Sequence, residues 1–349
     1  MIKISIKHIS ILIAAIIFRS VAFQIGEDKI TLLYVKSNNP INWGPGTIFL
    51  NDDSIGFGTT PTLSYDKKRI AYLDTNNVIR IFSGETTDSI YTLPFKRAKL
   101  TLSWDTSGNL FTTQELRIVK IDTSTKTCDT VYTFRDSSFL TPGYVWHLSE
   151  GNVSNGSKAC FTLNRGDNSY NRIFYIDIKK DTLIRAYTQN AACQAGISND
   201  GNFVTGTYFG HTRCIVSKVS EIALGFKYIK PLPDFTVWQL RFNKFNDSLF
   251  TFVSLGSGQK NSTITNFYGD TIIARIDSIE LWDCYIPPGY TTIAERVSEA
   301  KYRIPPINTI DAVYDINGRR VSAACFKRAR TGVYIIKSGK KFKKITILR

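Results

Sequence analysis

One short pattern, repeated five times, limits what this chain can fold into. Its clearest copy is Gly196-Ile197-Ser198-Asn199-Asp200-Gly201-Asn202-Phe203-Val204-Thr205, an apolar strand, a polar turn and a second strand. Asp-Gly between alternating apolar residues signals a hairpin, because Gly accepts the positive φ that such turns need. Related stretches cover residues 63–72, 102–111 and 153–161, with a weaker fifth at 242–250. Anchored on Ser64, Ser103, Ser154, Ser198 and Asn243, the copies stand 39, 51, 44 and 45 residues apart. Two more alternating runs follow each hairpin, such as residues 78–82 and 89–93, or 116–122 and 130–134. Four strands in a period of about 40–50 residues is the arithmetic of propeller blades. A pair of β-sandwiches is the alternative.

Two copies, Ser64 to Tyr72 and Ser198 to Val204, carry most fully an apolar strand, a Ser-x-Asp turn and a second apolar strand. In this the units resemble the TolB-like, WD40-like propeller repeats of bacterial exported proteins, over residues 30–285. Residues 29–60, with strands at Ile30–Val35 and Thr47–Leu50, would supply a sixth blade, completed by strands near 279–286. The expectation is an all-β chain: a β-propeller of five to six four-stranded blades, six favoured, over residues 23–300. A small β-sandwich-like tail follows at 301–349.

Hydrophobic residues at 43% and charged ones at 21% fit a folded chain rather than a disordered one. The net charge of +15 suggests nucleic acid until it is divided along the chain. Residues 1–22 carry +3 and residues 301–349 carry +11, which leaves +1 for the body between them. A specific nucleic-acid binder would show its basic stripe on the fold itself, so none is expected.

Lys3 and Lys7 precede the apolar run Ile9–Phe18, and the small residues Ser20 and Ala22 follow. This is the order of a secretory signal peptide over residues 1–22, with a membrane anchor as the alternative. The run is shorter than a bilayer span requires, and no later stretch is long enough, so the mature chain is expected to lack a transmembrane segment.

Beyond Pro305-Pro306, a strand at Ala312–Asp315 meets an Asn317-Gly318 turn and a second strand. Thr331–Lys337, a Ser338-Gly339 turn and a basic last strand complete the segment. It resembles the C-terminal sorting domain of type IX (Por) secretion, through Tyr314, Asp315, Gly318, Arg319, Gly332 and Tyr334. That resemblance implies the secretion machinery as partner and delivery to the cell surface or medium, with the periplasm as the alternative. A plain β appendage is the competing reading.

Catalytic signatures are sparse. His147 and His211 stand isolated in the sequence, without a Gly-x-Ser-x-Gly elbow, His-Glu-x-x-His, P-loop or Cys-x-x-Cys. No catalytic residue, metal or cofactor is therefore assigned. Asp/Asn-rich turns such as 51–53 and 199–200 could hold calcium, although hairpins use the same residues. Six Cys leave the disulfide pattern open, but Cys193 and Cys214 fall on first and third strands of one blade, about 9–10 Å apart and too far to bridge.

First strands line a propeller's channel, which places Trp146, His147, Gln194, Trp238 and Gln239 as candidate ligand contacts. Aromatic and amide side chains suit a sugar or a peptide, while core packing explains the Trp residues equally well. The expected function is a monomeric, non-catalytic binding or scaffold propeller for a protein or carbohydrate ligand. The alternative is an extracellular carbohydrate-active hydrolase or lyase, recognisable by carboxylates converging at one channel mouth.

Overall fold

The computed structural model describes residues 30–37, 44–93, 101–167, 170–186, 192–208, 211–224, 227–229, 236–256, 259–267 and 272–287, with the backbone of four strands after residue 311. The expected signal peptide lies outside these residues. The chain divides after Pro288 into two compact units. The domain boundary expected at 300/301 falls outside the described residues.

The first unit opens with β1 (Thr31–Lys36), β2 (Gly46–Leu50) and the long β3 (Asp53–Leu63). The second half of β3 pairs with β4 (Ile70–Leu73), followed outward by β5 (Val78–Phe82) and β6 (Thr87–Thr92), forming blade 1. Blade 2 holds β7 (Ser103–Trp104), β8 (Leu110–Gln114), β9 (Arg117–Asp122) and β10 (Thr127–Thr133). Blade 3 holds β11 (Trp146–Ser154), β12 (Lys158–Arg165), β13 (Asn171–Asp177) and β14 (Thr182–Arg185). Blade 4 holds β15 (Ala192–Ile197), β16 (Phe203–Tyr208), β17 (Arg213–Lys218) and β18 (Lys227–Ile229). Blade 5 holds β19 (Thr236–Asn243), β20 (Asn246–Gly256), β21 (Gln259–Asn266) and β22 (Ile272–Asp277).

Blade 6 is made from both ends of the unit. The late strand β23 (Glu280–Tyr285) pairs with β1, Thr31 opposite Tyr285, and β2 and the first half of β3 complete the sheet. Six antiparallel blades therefore close on themselves, and strand β3 belongs to two of them. Closure leaves only the short outer strands as edges.

The turn that defines the repeat explains itself in hydrogen bonds. Ser198 Oγ accepts from Phe203 N (2.9 Å) and donates to Asp200 (2.6 Å), while Gly201 takes φ +70°. Ser64 and Asp66 repeat this in blade 1, with Arg69 N donating to Ser64 Oγ at 2.9 Å. In blade 2 the equivalent residue is Asp105 rather than the Ser103 of the sequence register. Asp105 Oδ1 accepts from Ser107 N and Asn109 N, and its backbone bonds to Asn109 as Ser198's does to Phe203. A carboxylate does there what Ser and Asp share elsewhere, so a register set on serine slips by two residues.

Apolar side chains fill the spaces between neighbouring blades. Ile81 and Trp104 pack between blades 1 and 2, Phe134 and Phe174 between 2 and 3, and Ile173 and Ile197 between 3 and 4. Val216 and Leu240 fill the space between 4 and 5, and Leu33 and Ile70 that between 6 and 1. Blades 5 and 6 meet through polar groups as well as through Phe245 edge-on to Tyr285 (5.5 Å): Lys260 pairs with Glu280 at 3.0 Å, and Ser262 Oγ bonds Ile279 O and Leu281 N. Cys193 and Cys214 lie on the first and third strands of blade 4, and no disulfide joins any two of the five described Cys.

In the second unit, β24 (Ala312–Asp315), β25 (Arg320–Val321), β26 (Gly332–Ser338) and β27 (Lys341–Ile347) form one antiparallel sheet in the order β25-β24-β26-β27. Asp315 stands opposite Tyr334, so two parts of the expected sorting motif share adjacent strands. Tyr314 and Gly332 lie on the same two strands, while Gly318 and Arg319 lie outside the described residues.

Candidate functional site

A cavity of about 220 Å³ lies on the propeller axis, lined by first strands of all six blades. Its lining follows the repeat. Four residues before each turn residue stand Thr60, Thr101, Glu150, Gln194 and Gln239, and all five face the cavity. Four of these, Thr60, Glu150, Gln194 and Gln239, adopt φ between +48° and +56°. Each sits where its strand skips register against the next one, between Ser149 and Asn152 in blade 3, for instance. The sequence thus builds the same β-bulge into four first strands, and a bulge re-aims a side chain out of the regular alternation.

The bulge residues are wired together. Gln194 N donates to Glu150 Oε2 (3.2 Å), and Gln239 N donates to Gln194 Oε1 (2.7 Å). Gln239 Nε2 donates to Glu280 Oε1 (2.8 Å), whose other oxygen accepts from Lys260 (3.0 Å). One chain of contacts therefore crosses blades 3, 4, 5 and 6.

Two residues further along, a side chain reaches the next blade's backbone. Ser103 Oγ accepts from Val153 N (3.0 Å) and Asn152 Oδ1 from Ile197 N (2.8 Å), and in blade 6 Asp283 Oδ2 does the same for Leu63 N (2.7 Å) from three residues after Glu280. Blade 4 has Gly196 at this place and blade 5 has Arg241. Arg241 lies over the Trp282 ring at 3.8 Å and donates no hydrogen bond to a described residue. Burial lowers its pKa to about 10, opposed by the fields of Asp283, Glu280 and Glu150. It is still charged at neutral pH.

At the turn end of the channel, Tyr65 crosses from blade 1 to donate to Asn199 Oδ1 of blade 4 (2.5 Å). Asn199 in turn bonds Asp247 (2.9 Å). Lys244 donates to Asp283 (2.9 Å), Thr62 Oγ1 and Leu63 O. Burial pushes the Lys244 pKa down against the pull of Asp283. Burial, with the fields of Asp283, Asp247 and Asp105, pushes the Tyr65 phenol up. Tyr65 stays a neutral phenol at neutral pH, and both side chains act as struts.

Of the sequence candidates, Gln194, Trp238 and Gln239 line the cavity. Trp238 stacks on His211 with centroids 3.6 Å apart, and His211 Nε2 stands 3.8 Å from Cys193 Sγ. Trp146 and His147 are not in the lining. Trp146 is packed edge-on against Tyr170 in the core between blades 2 and 3, its indole donating to Thr141 O (3.2 Å), and His147 is half-buried on β11. Sequence reasoning missed Glu150, Arg241, Lys244, Glu280 and Asp283. The signal that finds Glu150 is position, four residues before the turn, and it becomes readable only once the bulge is known.

Asp200 is bound by Ser198, Asn202 N and Asn202 Nδ2, and Asn199 by Tyr65 and Asp247, so the turn proposed for calcium is filled by its own neighbours. Among the described residues there is no group of three or more His, Cys, Asp or Glu side chains placed to hold a metal ion.

No protein-family model matches the chain, and no curated protein matches it. Solved structures are. TolB from Acinetobacter baumannii superposes with a TM-score of 0.51 at 16% identity, covering 78% of this chain and 70% of that one. A putative TolB from Agrobacterium tumefaciens gives 0.50 at 11% identity, covering 74% and 90%. An oligogalacturonate lyase in complex with manganese gives 0.42 at 11%, covering 68% and 90%, too loose a likeness to bear on chemistry. At these identities the likeness establishes a fold, and that fold is the TolB-like β-propeller.

Proposed function

We propose that this chain is an exported, non-catalytic β-propeller that recognises a ligand in its central cavity, and that the C-terminal module directs it to the cell surface or medium. One observation carries the binding half. Glu280 and Asp283, which line the cavity, are each held by a lysine and by further hydrogen bonds, Glu280 by Lys260 and Gln239 and Asp283 by Lys244 and Leu63 N. Both oxygens of Glu280 are committed in this way, which organises a site, whereas a general acid or nucleophile needs an oxygen available to substrate. The delivery half rests on the sequence resemblance of the tail and on the strand pairing that sets Asp315 beside Tyr334.

Fractionation of the host with intact-mass analysis tests delivery. Protein in the medium or on the outer surface, lacking residues 1–22 and the region after about Pro305, supports it. Periplasmic protein retaining Arg349 sinks it and favours an envelope partner role. Retention of extracellular polymers by the full chain, lost in Trp238→Ala, tests the cavity.

Three carboxylates, Glu150, Glu280 and Asp283, do line one cavity beside Trp238, and this keeps a second reading, a carbohydrate-active hydrolase or lyase. Turnover of a polysaccharide by the full chain, abolished in Glu150→Gln, would establish it.

A further inference from the structure

We infer that the cavity recognises a small carboxylate-bearing molecule, held by the Arg241 guanidinium and the Gln194 side-chain amide that line it. The inference rests on the cavity being the recognition site. Charge bookkeeping comes first. Lys244 is paired with Asp283 and Lys260 with Glu280, each within 3.0 Å. The lining itself carries two cations, Lys244 and Arg241, and three carboxylates, Glu150, Glu280 and Asp283, and Arg241, with five N–H donors, makes no hydrogen bond to a described residue.

The second observation is independent. Gln194 is 6% exposed and lines the cavity. Its Oε1 is fixed by Gln239 N and Thr207 Oγ1, which orients the amide and leaves Nε2 as a donor with no partner in the described structure. This donor opens on the cavity, where an acceptor from a ligand would meet it.

The third is space. In blades 2 and 3 the side chain two residues before the turn clasps the next blade, as Asp283 does from blade 6, but Gly196 supplies none in blade 4. The missing clasp lies between the two blades that carry Gln194 and Arg241. A guanidinium fork and an amide donor that line one cavity offer donors to the two oxygens of a carboxylate, and a cavity of about 220 Å³ admits a unit the size of one sugar or amino acid.

Calorimetric titration of the full chain tests this with two acids, D-glucuronate and N-acetyl-L-alanine, and their neutral counterparts, D-glucose and N-acetyl-L-alaninamide. One acid is expected to bind about 30-fold or more tightly than its neutral counterpart, and which acid does so identifies the source of the carboxylate. Arg241→Met is expected to lose that preference. Gly196→Ser, which fills the gap without touching charge, is expected to weaken the acid as well; its Cβ meets only Thr205 Cγ2 closely, at 3.1 Å, so the variant should fold. Equal binding of acid and neutral forms, acid binding unchanged in Arg241→Met, or no acid binding at all overturns the carboxylate assignment. The cavity reading falls on a different result, unchanged retention of extracellular polymers by Trp238→Ala.

Discussion

Ser198 is fully buried, and its hydroxyl serves two partners, accepting from Phe203 N and donating to Asp200. Ser198→Ala leaves that backbone N–H without its acceptor, and we expect a loss of about 1–2 kcal/mol in urea unfolding. The carboxylates of these turns tie stability to pH. Burial alone would raise Asp66, Asp74 and Asp200, but hydrogen bonds from Ser64 to Asp66, from Val78 N and Arg80 to Asp74, and from Ser198 and Asn202 N to Asp200 outweigh it and lower all three. A lowered carboxylate stabilises the fold fully above its unfolded value of about 4, and that contribution is lost as pH falls through the lower folded value. Melting temperature should therefore hold from neutral pH to about pH 5 and drop below about pH 4, with a shallower drop in the Asp66→Asn/Asp200→Asn double variant.

The bulges show how an element sets what a residue can do. Thr60 is a β-branched residue at φ +49° whose buried hydroxyl has no partner, so two unfavourable features coincide. Thr60→Gly removes both, and thermal unfolding should show stabilisation of about 1 kcal/mol. Glu150, Gln194 and Gln239 occupy the same strained place, and there the conformation aims polar groups at the cavity. Much of the fold was legible because Asp-Gly turns and alternating strands are local signals, readable at Ser198–Gly201 without knowing any neighbour. Gln194 and Gln239 were reachable by the rule that first strands line the channel. Trp146 obeys the same rule and still points into the core, because one step along a strand changes face. Arg241 and Asp283 were not legible at all, since what distinguishes them is which charges stand nearby in other blades.

Ring closure brings the ends of the unit together through Asp283, which ties blade 6 to Leu63 of blade 1 and neutralises Lys244. Both partners are close to nine-tenths buried, so Asp283→Asn leaves an uncompensated cation, and a loss of about 3 kcal/mol is expected in chemical denaturation. A chain ending after Pro288 should keep the propeller's unfolding transition, whereas one ending before Glu280 should lose it, because blade 6 then has no inner strand. The pairing of Thr31 with Tyr285 also sets a timetable. A ribosome releases β1 early, and its outer edge must wait, bare, until almost the whole unit has been made. Contacts this distant in sequence form slowly, and waiting strands are prone to pair with the wrong partner. The nascent chain thus has its greatest need of a chaperone just before its last strand emerges.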